Sequence, residues 1–353
     1  MEIPSGPEPR SPLWSLLGLA LAVSACKGEA KDSARPATPA EKPAEKPGFA
    51  GIVFDVGGID DKSFNEAAHK GLMRAKDELG IAVDFYQPSQ PADRKTGLRR
   101  LVGKKFEIVI GVGFIFTDEL IALAKEFPER RFACIDMVEK PEAEIPTNLV
   151  GLKFREEQGS FLVGALAALT TKTKKLGFVG GMNVPLIHKF EAGFRAGAKH
   201  AVPDIEVLSN YAGETPKAFD DPETGKSLAL GMYKSGVDII FHASGKTGLG
   251  VFQAAKETNN FVIGVDADQS SEAPGRVLTS MTKQVDIAVF DAVKSVKEGT
   301  FKSGLRVFGL AEGGVDFVYN DSNKALIPAG VYEKVMAMKA DIVAGKIQVP
   351  ATR

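Results

Sequence analysis

Cysteine is nearly absent: Cys26 and Cys134 are the only two in 353 residues, and they sit in such different settings that no disulfide framework supports the fold. Histidine is equally sparse, and His69, His188, His200 and His242 show no ligand spacing, so even the neighbouring Asp266 and Asp268 do not make a metal site; no cofactor is expected. There is no surplus of positive charge. The 44 basic and 45 acidic side chains give a formal net charge of -1, which argues against a polynucleotide partner. A phosphate-cradling loop is missing too: Gly245-Lys246-Thr247 resembles the end of one, but Ile240 stands where its first glycine is required. No Gly-x-Ser-x-Gly turn presents a nucleophile, and Cys134, within the apolar run Arg131–Ile135, reads as a buried strand residue.

Long hydrophobic runs are also lacking, apart from Ser11–Ala25, which is too short to span a bilayer comfortably but fits the apolar core of an export signal. The stretch ends in Val23-Ser24-Ala25-Cys26, which resembles a bacterial lipobox, so residues 1–26 are expected to be a lipoprotein leader with Cys26 the lipidated residue. Glu2 and Glu8 against the single Arg10 depart from the positive start such signals favour. Residues 27–48 are rich in Lys, Glu, Ala and Pro and almost free of branched aliphatic side chains, so they read as a tether that cannot bury enough surface to fold. Together these features place the protein in the cell envelope, anchored by lipid and facing the periplasm or exterior.

What is present beyond Phe49 is an alternation of short apolar runs with amphipathic stretches, the pattern of parallel strands joined by helices. Strands are expected over 51–56, 83–86, 108–111 and 132–135, with helices over 63–79, 91–102 and 118–127. A long apolar helix over 155–169 leads to a second unit of the same kind, with strands over 176–179, 206–209, 237–241 and 261–265. Strand-like segments at 276–280, 306–308 and 315–319, with helices over 284–298 and after Ala329, imply that the chain recrosses between the units and forms a hinge. Residues 49–152 with about 283–312 are expected to build the first lobe, and 153–282 with about 313–353 the second.

The run Gly57-Gly-Ile-Asp-Asp-Lys-Ser-Phe-Asn65 resembles the opening signature of the basic membrane protein family of substrate-binding lipoproteins. Further matching blocks follow in order: the run from Gly151 to Gly164, Gly177–Gly181, Phe190–Phe194, Gly264–Gln269 and Leu278–Lys283. The likeness is greatest to the branch that holds the purine nucleoside receptor of spirochaetes. It implies an α/β type I periplasmic-binding-protein fold, two doubly wound parallel-sheet lobes joined by a hinge with several crossings. It also implies a monomer that binds a purine nucleoside and delivers it to an ABC transporter permease. Carried over block by block, it sets Phe64 and Phe219 on either face of the purine, Asp55, Asn65 and Asp136 near the base, and Gly245, Asp266 and Lys283 around the ribose.

The residue types suit that chemistry. A purine offers two flat π faces and a polar rim, and stacking on an aromatic ring is worth about 1–3 kcal/mol per base. Asp266 directly follows the apolar run 261–265, so its carboxylate stands at a strand's carboxyl end, where it can accept from a vicinal diol. Lys283 is expected to donate to the same hydroxyls and keep Asp266 ionised, while Asp60, Asp61 and Lys62 cap and charge the helix beside them. Two other readings stay open: the same fold holding a sugar, a flavin or another small metabolite, and a nucleoside hydrolase or phosphorylase.

Overall fold

The computed structural model describes residues 48–353, Pro91 excepted; the expected leader with Cys26, and the expected tether up to residue 47, lie outside the described residues. Two six-stranded sheets dominate. The first contains β1 (Ala50–Val53), β2 (Val83–Tyr86), β3 (Ile108–Val112), β4 (Arg131–Ile135), β5 (Leu149–Phe154) and β11 (Gly304–Phe308), in the order β11-β5-β4-β3-β1-β2. The second contains β6 (Lys175–Met182), β7 (Glu206–Gly213), β8 (Ile239–Ala243), β9 (Phe261–Asp266), β10 (Val277–Lys283) and β12 (Val315–Phe317), in the order β12-β10-β9-β8-β6-β7. Every pairing is parallel except β10 with β12. Parallel strands are covered on both faces, which is why β3, β5 and β8 read as nearly unbroken apolar runs.

Helices α1 (Phe64–Leu79), α2 (Asp93–Gly103), α3 (Thr117–Glu126) and α8 (Val285–Lys297) flank the first sheet. Helices α4 (Glu156–Thr170), α5 (Pro185–Ala201), α6 (Pro222–Lys234), α7 (Gly248–Thr258) and α9 (Val331–Val343) belong with the second. Helix α4 is buried almost all round, as its continuous apolar sequence demands. It lies so close to α5 that a methyl group on Gly164, Gly193 or Gly197 would collide with a backbone carbonyl of the facing helix. Among the described residues, no helix is long and apolar enough to cross a membrane.

The chain passes between the sheets three times, from β5 to α4, from β10 to α8 and from β11 to β12. These three segments are stitched to each other. The Arg155 N–H donates to the Phe308 carbonyl at 2.9 Å, the Gln284 N–H to the Gly314 carbonyl at 2.9 Å, and the Lys283 amine pairs with Glu156 at 3.0 Å. Segments joined side by side in this way bend together, as a hinge requires. One element was not expected: β5. Its sequence meets α4 with only Arg155 between them, so no turn residue marks where the strand stops and the helix begins.

Candidate functional site

Both sheets direct the carboxyl ends of their strands at one cavity between the lobes, the place where ligands bind in open parallel sheets. All eight residues expected to hold a ligand line it: Asp55, Phe64, Asn65 and Asp136 from the first lobe, Phe219, Gly245, Asp266 and Lys283 from the second. Cys26, the expected lipidation site, lies outside the described residues.

The first lobe's wall is built on the turn from β1 to α1. Asp61 caps the helix, its carboxylate accepting the N–H groups of Ser63 and Asn65 at 2.9 Å and of Glu66 at 3.1 Å. Asn65 is fully engaged with the protein: its Oδ1 accepts the Asp55 N–H at 2.9 Å, and its Nδ2 donates to the Val56 carbonyl and to Asp61. It therefore shapes the turn and leaves the exposed chemistry to its neighbours. Phe64, half-buried, faces the cavity from the first turn of α1. Burial raises the Asp55 carboxyl to about 7, against the opposing pull of the Val56 N–H and of the Arg94 guanidinium 3.6 Å away.

Asp136 and Asp266 end equivalent strands, β4 and β9, and both adopt the left-handed backbone, with φ of 57° and 66°. Aspartate tolerates this conformation better than most side chains. The turn aims each carboxylate into the cavity. Asp266 accepts a hydrogen bond from the Ser63 hydroxyl of the opposite lobe.

Lys283 departs from expectation. Its amine is 2% exposed and sits between two carboxylates, Asp136 at 2.6 Å and Glu156 at 3.0 Å, beneath the rings of Phe64, Phe154 and Phe190. Burial disfavours the ammonium, but Asp136 and Glu156 outweigh it and hold the amine above its ordinary range. Burial raises the Asp266 carboxyl to about 6, and the Lys283 ammonium is the main influence that opposes this and favours the ionised form. The ion pairs of Lys283 also tie Asp136 of the first lobe to Glu156 at the start of α4.

Several lining residues were not singled out from the sequence. Asp61 was read only as a helix cap, although it also reaches the cavity. Phe114, Leu186, Ile187 and Phe190 supply apolar wall, and only the helical starts at which they stand hint at it. Glu156 was hidden in the acidic first turn of α4; its signal was a carboxylate at the head of an otherwise apolar helix. In the Gly245-Lys246-Thr247 turn the Thr247 hydroxyl is used internally: it donates to the Ala218 carbonyl and accepts the Asp221 N–H, each at 2.8 Å. Cys134 is fully buried in β4, and burial pushes its thiol up to about 12, which makes it chemically inert. Among the described residues, no cluster of His, Cys, Asp or Glu is arranged to hold a metal ion.

Comparison with known proteins gives a consistent result. The family model described as ABC transporter substrate-binding protein PnrA-like matches residues 50–353. Basic membrane protein A2 of Borrelia garinii subsp. bavariensis is 38% identical over 299 residues, covering 83% of this chain and 86% of its own. The ABC transporter nucleoside-binding protein BmpA of Lactococcus lactis subsp. cremoris is 34% identical over 324 residues, covering 86% of this chain and 89% of its own. Among solved structures, an ABC transporter solute-binding protein from Aeropyrum pernix K1 superposes with a TM-score of 0.77 at 29% identity, over 86% of this chain and 94% of that one.

Proposed function

The chain belongs to the family of PnrA-like substrate-binding proteins of ABC transporters, and from that premise we propose that it binds a purine nucleoside between its lobes and presents it to its permease. The family is one of binding proteins, so the hydrolase and phosphorylase readings fall away. The observation that carries the nucleoside reading is that Phe64 and Phe219, from opposite lobes, line the same cavity together with Asp55, Asp136 and Asp266. Two aromatic faces and a carboxylate rim match a flat heterocycle carrying N–H and O–H donors.

Closure follows from thermodynamics: the ligand touches both lobes only when they are together, so its binding free energy favours the closed state by its differential affinity. The Val23-Ser24-Ala25-Cys26 run supports lipid attachment at Cys26, with residues 27–48 as tether. Calorimetric titration with inosine, guanosine and, as a contrast, ribose tests the ligand. One saturable site per chain for the nucleosides and none for ribose is expected; binding of ribose alone would overturn the purine reading. Metabolic labelling with a radioactive fatty acid tests the anchor, with label expected in the native chain and lost in Cys26→Ala.

A further inference from the structure

Besides contacts at the chain crossings and that of Lys189 with the Phe154 carbonyl, three side-chain contacts among the described residues join the lobes at the cleft. Two involve residues that line the cavity, Ser63 with Asp266 and Lys283 with Asp136. The third does not: Gln269 Nε2 donates to the Lys62 carbonyl at 2.8 Å, and neither residue lines the cavity.

Both halves of this contact are held rigidly. Gln269 is 2% exposed; its Oε1 accepts the Val265 N–H at 2.8 Å and its own N–H donates to the Ser280 hydroxyl at 3.1 Å. The side-chain amide is thereby fixed from the second lobe, with an N–H directed across the cleft. On the first lobe, Lys62 holds a positive φ of 57° between Asp61, whose carboxylate caps α1, and the buried Ser63. A backbone carbonyl in so constrained a turn cannot follow a departing partner. The bond therefore exists only when the lobes are closed.

We propose that Gln269 is a positioning residue, a latch on the Lys62 carbonyl that holds the lobes together and sets how long a ligand is retained without touching it. Its ligand readout rests on the nucleoside reading above; its conformational readout does not. A buried neutral hydrogen bond of ordinary net strength shifts a closed-to-open ratio about five- to tenfold. A ligand that escapes only from the open form then leaves faster by the same factor, while its association rate changes little.

The test uses Gln269→Glu at pH 8, which keeps the acceptor for the Val265 N–H but turns a carboxylate toward the Lys62 carbonyl, and Gln269→Met, which removes both polar atoms. Inosine is the probe. Stopped-flow displacement is expected to show release about five- to tenfold faster in both variants, and small-angle scattering of the ligand-free proteins a larger radius of gyration than the wild type. Wild-type release rates together with an unchanged radius would overturn the latch. If the wild type binds no inosine, the nucleoside reading fails, and scattering alone decides: larger radii support the latch and unchanged radii refute it. If neither variant folds, hydrogen exchange in the wild type decides, since the latch requires the segments around Lys62 and Gln269 to be protected and released together, and independent exchange would refute it.

Discussion

Strand for strand the two sheets are equivalent, yet the walls they present to the cavity are not. β4 and β9 each end in an aspartate with positive φ, Asp136 and Asp266, and β3 and β8 are each followed by a glycine with positive φ, Gly113 and Gly245. Around this shared frame the first lobe adds Asp55, Asp61 and Asn65, whereas the second adds Leu186, Ile187, Phe190 and Val265 with a single cation, Lys283. Three of the four lining carboxylates, Asp55, Asp61 and Asp136, come from the first lobe, whereas the second supplies the cation and more of the hydrocarbon. A repeated fold thus fixes where side chains meet a ligand, and divergence within the repeat decides what they say to it.

The largest test of this asymmetry is its one cation. Lys283→Met leaves Asp136 and Glu156 facing each other in a buried site, and removing one partner of such a pair costs about 3–5 kcal/mol. Differential scanning calorimetry should show a clear fall in melting temperature, and titration should show no measurable nucleoside binding. An unchanged melting point would mean that the hinge does not depend on this ion pair.

The aromatic faces are where the lobes should instead be equal. Phe64→Ala and Phe219→Ala are each expected to weaken inosine binding at least tenfold, about 1.4 kcal/mol, with circular dichroism unchanged. A loss in only one of the two would break the sandwich and leave a one-sided site.

A smaller effect separates the carboxylates by pH. Asp55 has its proton held to about 7 in the folded chain against an ordinary value of 3.8, so the folded state binds that proton where the unfolded state has released it. Its contribution to stability is complete at acid pH and is lost as pH rises from about 4 through about 7. The melting temperature of Asp55→Asn relative to wild type should therefore rise across that interval, because the amide has no proton to lose. A constant difference would contradict the buried, protonated acid.

The smallest contrast lies in the paired glycines. A methyl group on Gly113, at φ 116°, would stand 2.7 Å from the Asp55 carboxylate, while one on Gly245, at φ 55°, meets nothing closer than the Phe219 carbonyl at 3.3 Å. Gly113→Ala should weaken inosine binding several-fold more than Gly245→Ala, measured by the same titration. Equal effects would mean that the Asp55 wall tolerates displacement.

The architecture was largely legible because parallel strands announce themselves as short apolar runs, and because Asp136 and Asp266 directly follow two of them. Strand β5 was not, since only Arg155 stands between it and α4 and no turn residue marks the boundary. The eight residues carried over by resemblance line the cavity, but Asp61, Phe114, Leu186 and Ile187 were not singled out, and partnership was not legible. That Asn65 spends its amide on the Asp55–Asp61 turn, that Lys283 pairs with Asp136 and Glu156, and that Gln269 reaches Lys62 are consequences of residues far apart in sequence meeting, or of a turn's path. Linear spacing carries no such information.

A crystal structure of the chain with inosine tests the nucleoside reading most directly. The purine ring is expected between the Phe64 and Phe219 rings, with the ribose hydroxyls toward Asp266 and both lobes in contact with the ligand. Inosine lying outside this cavity, or in it with neither ring against the base, would contradict it.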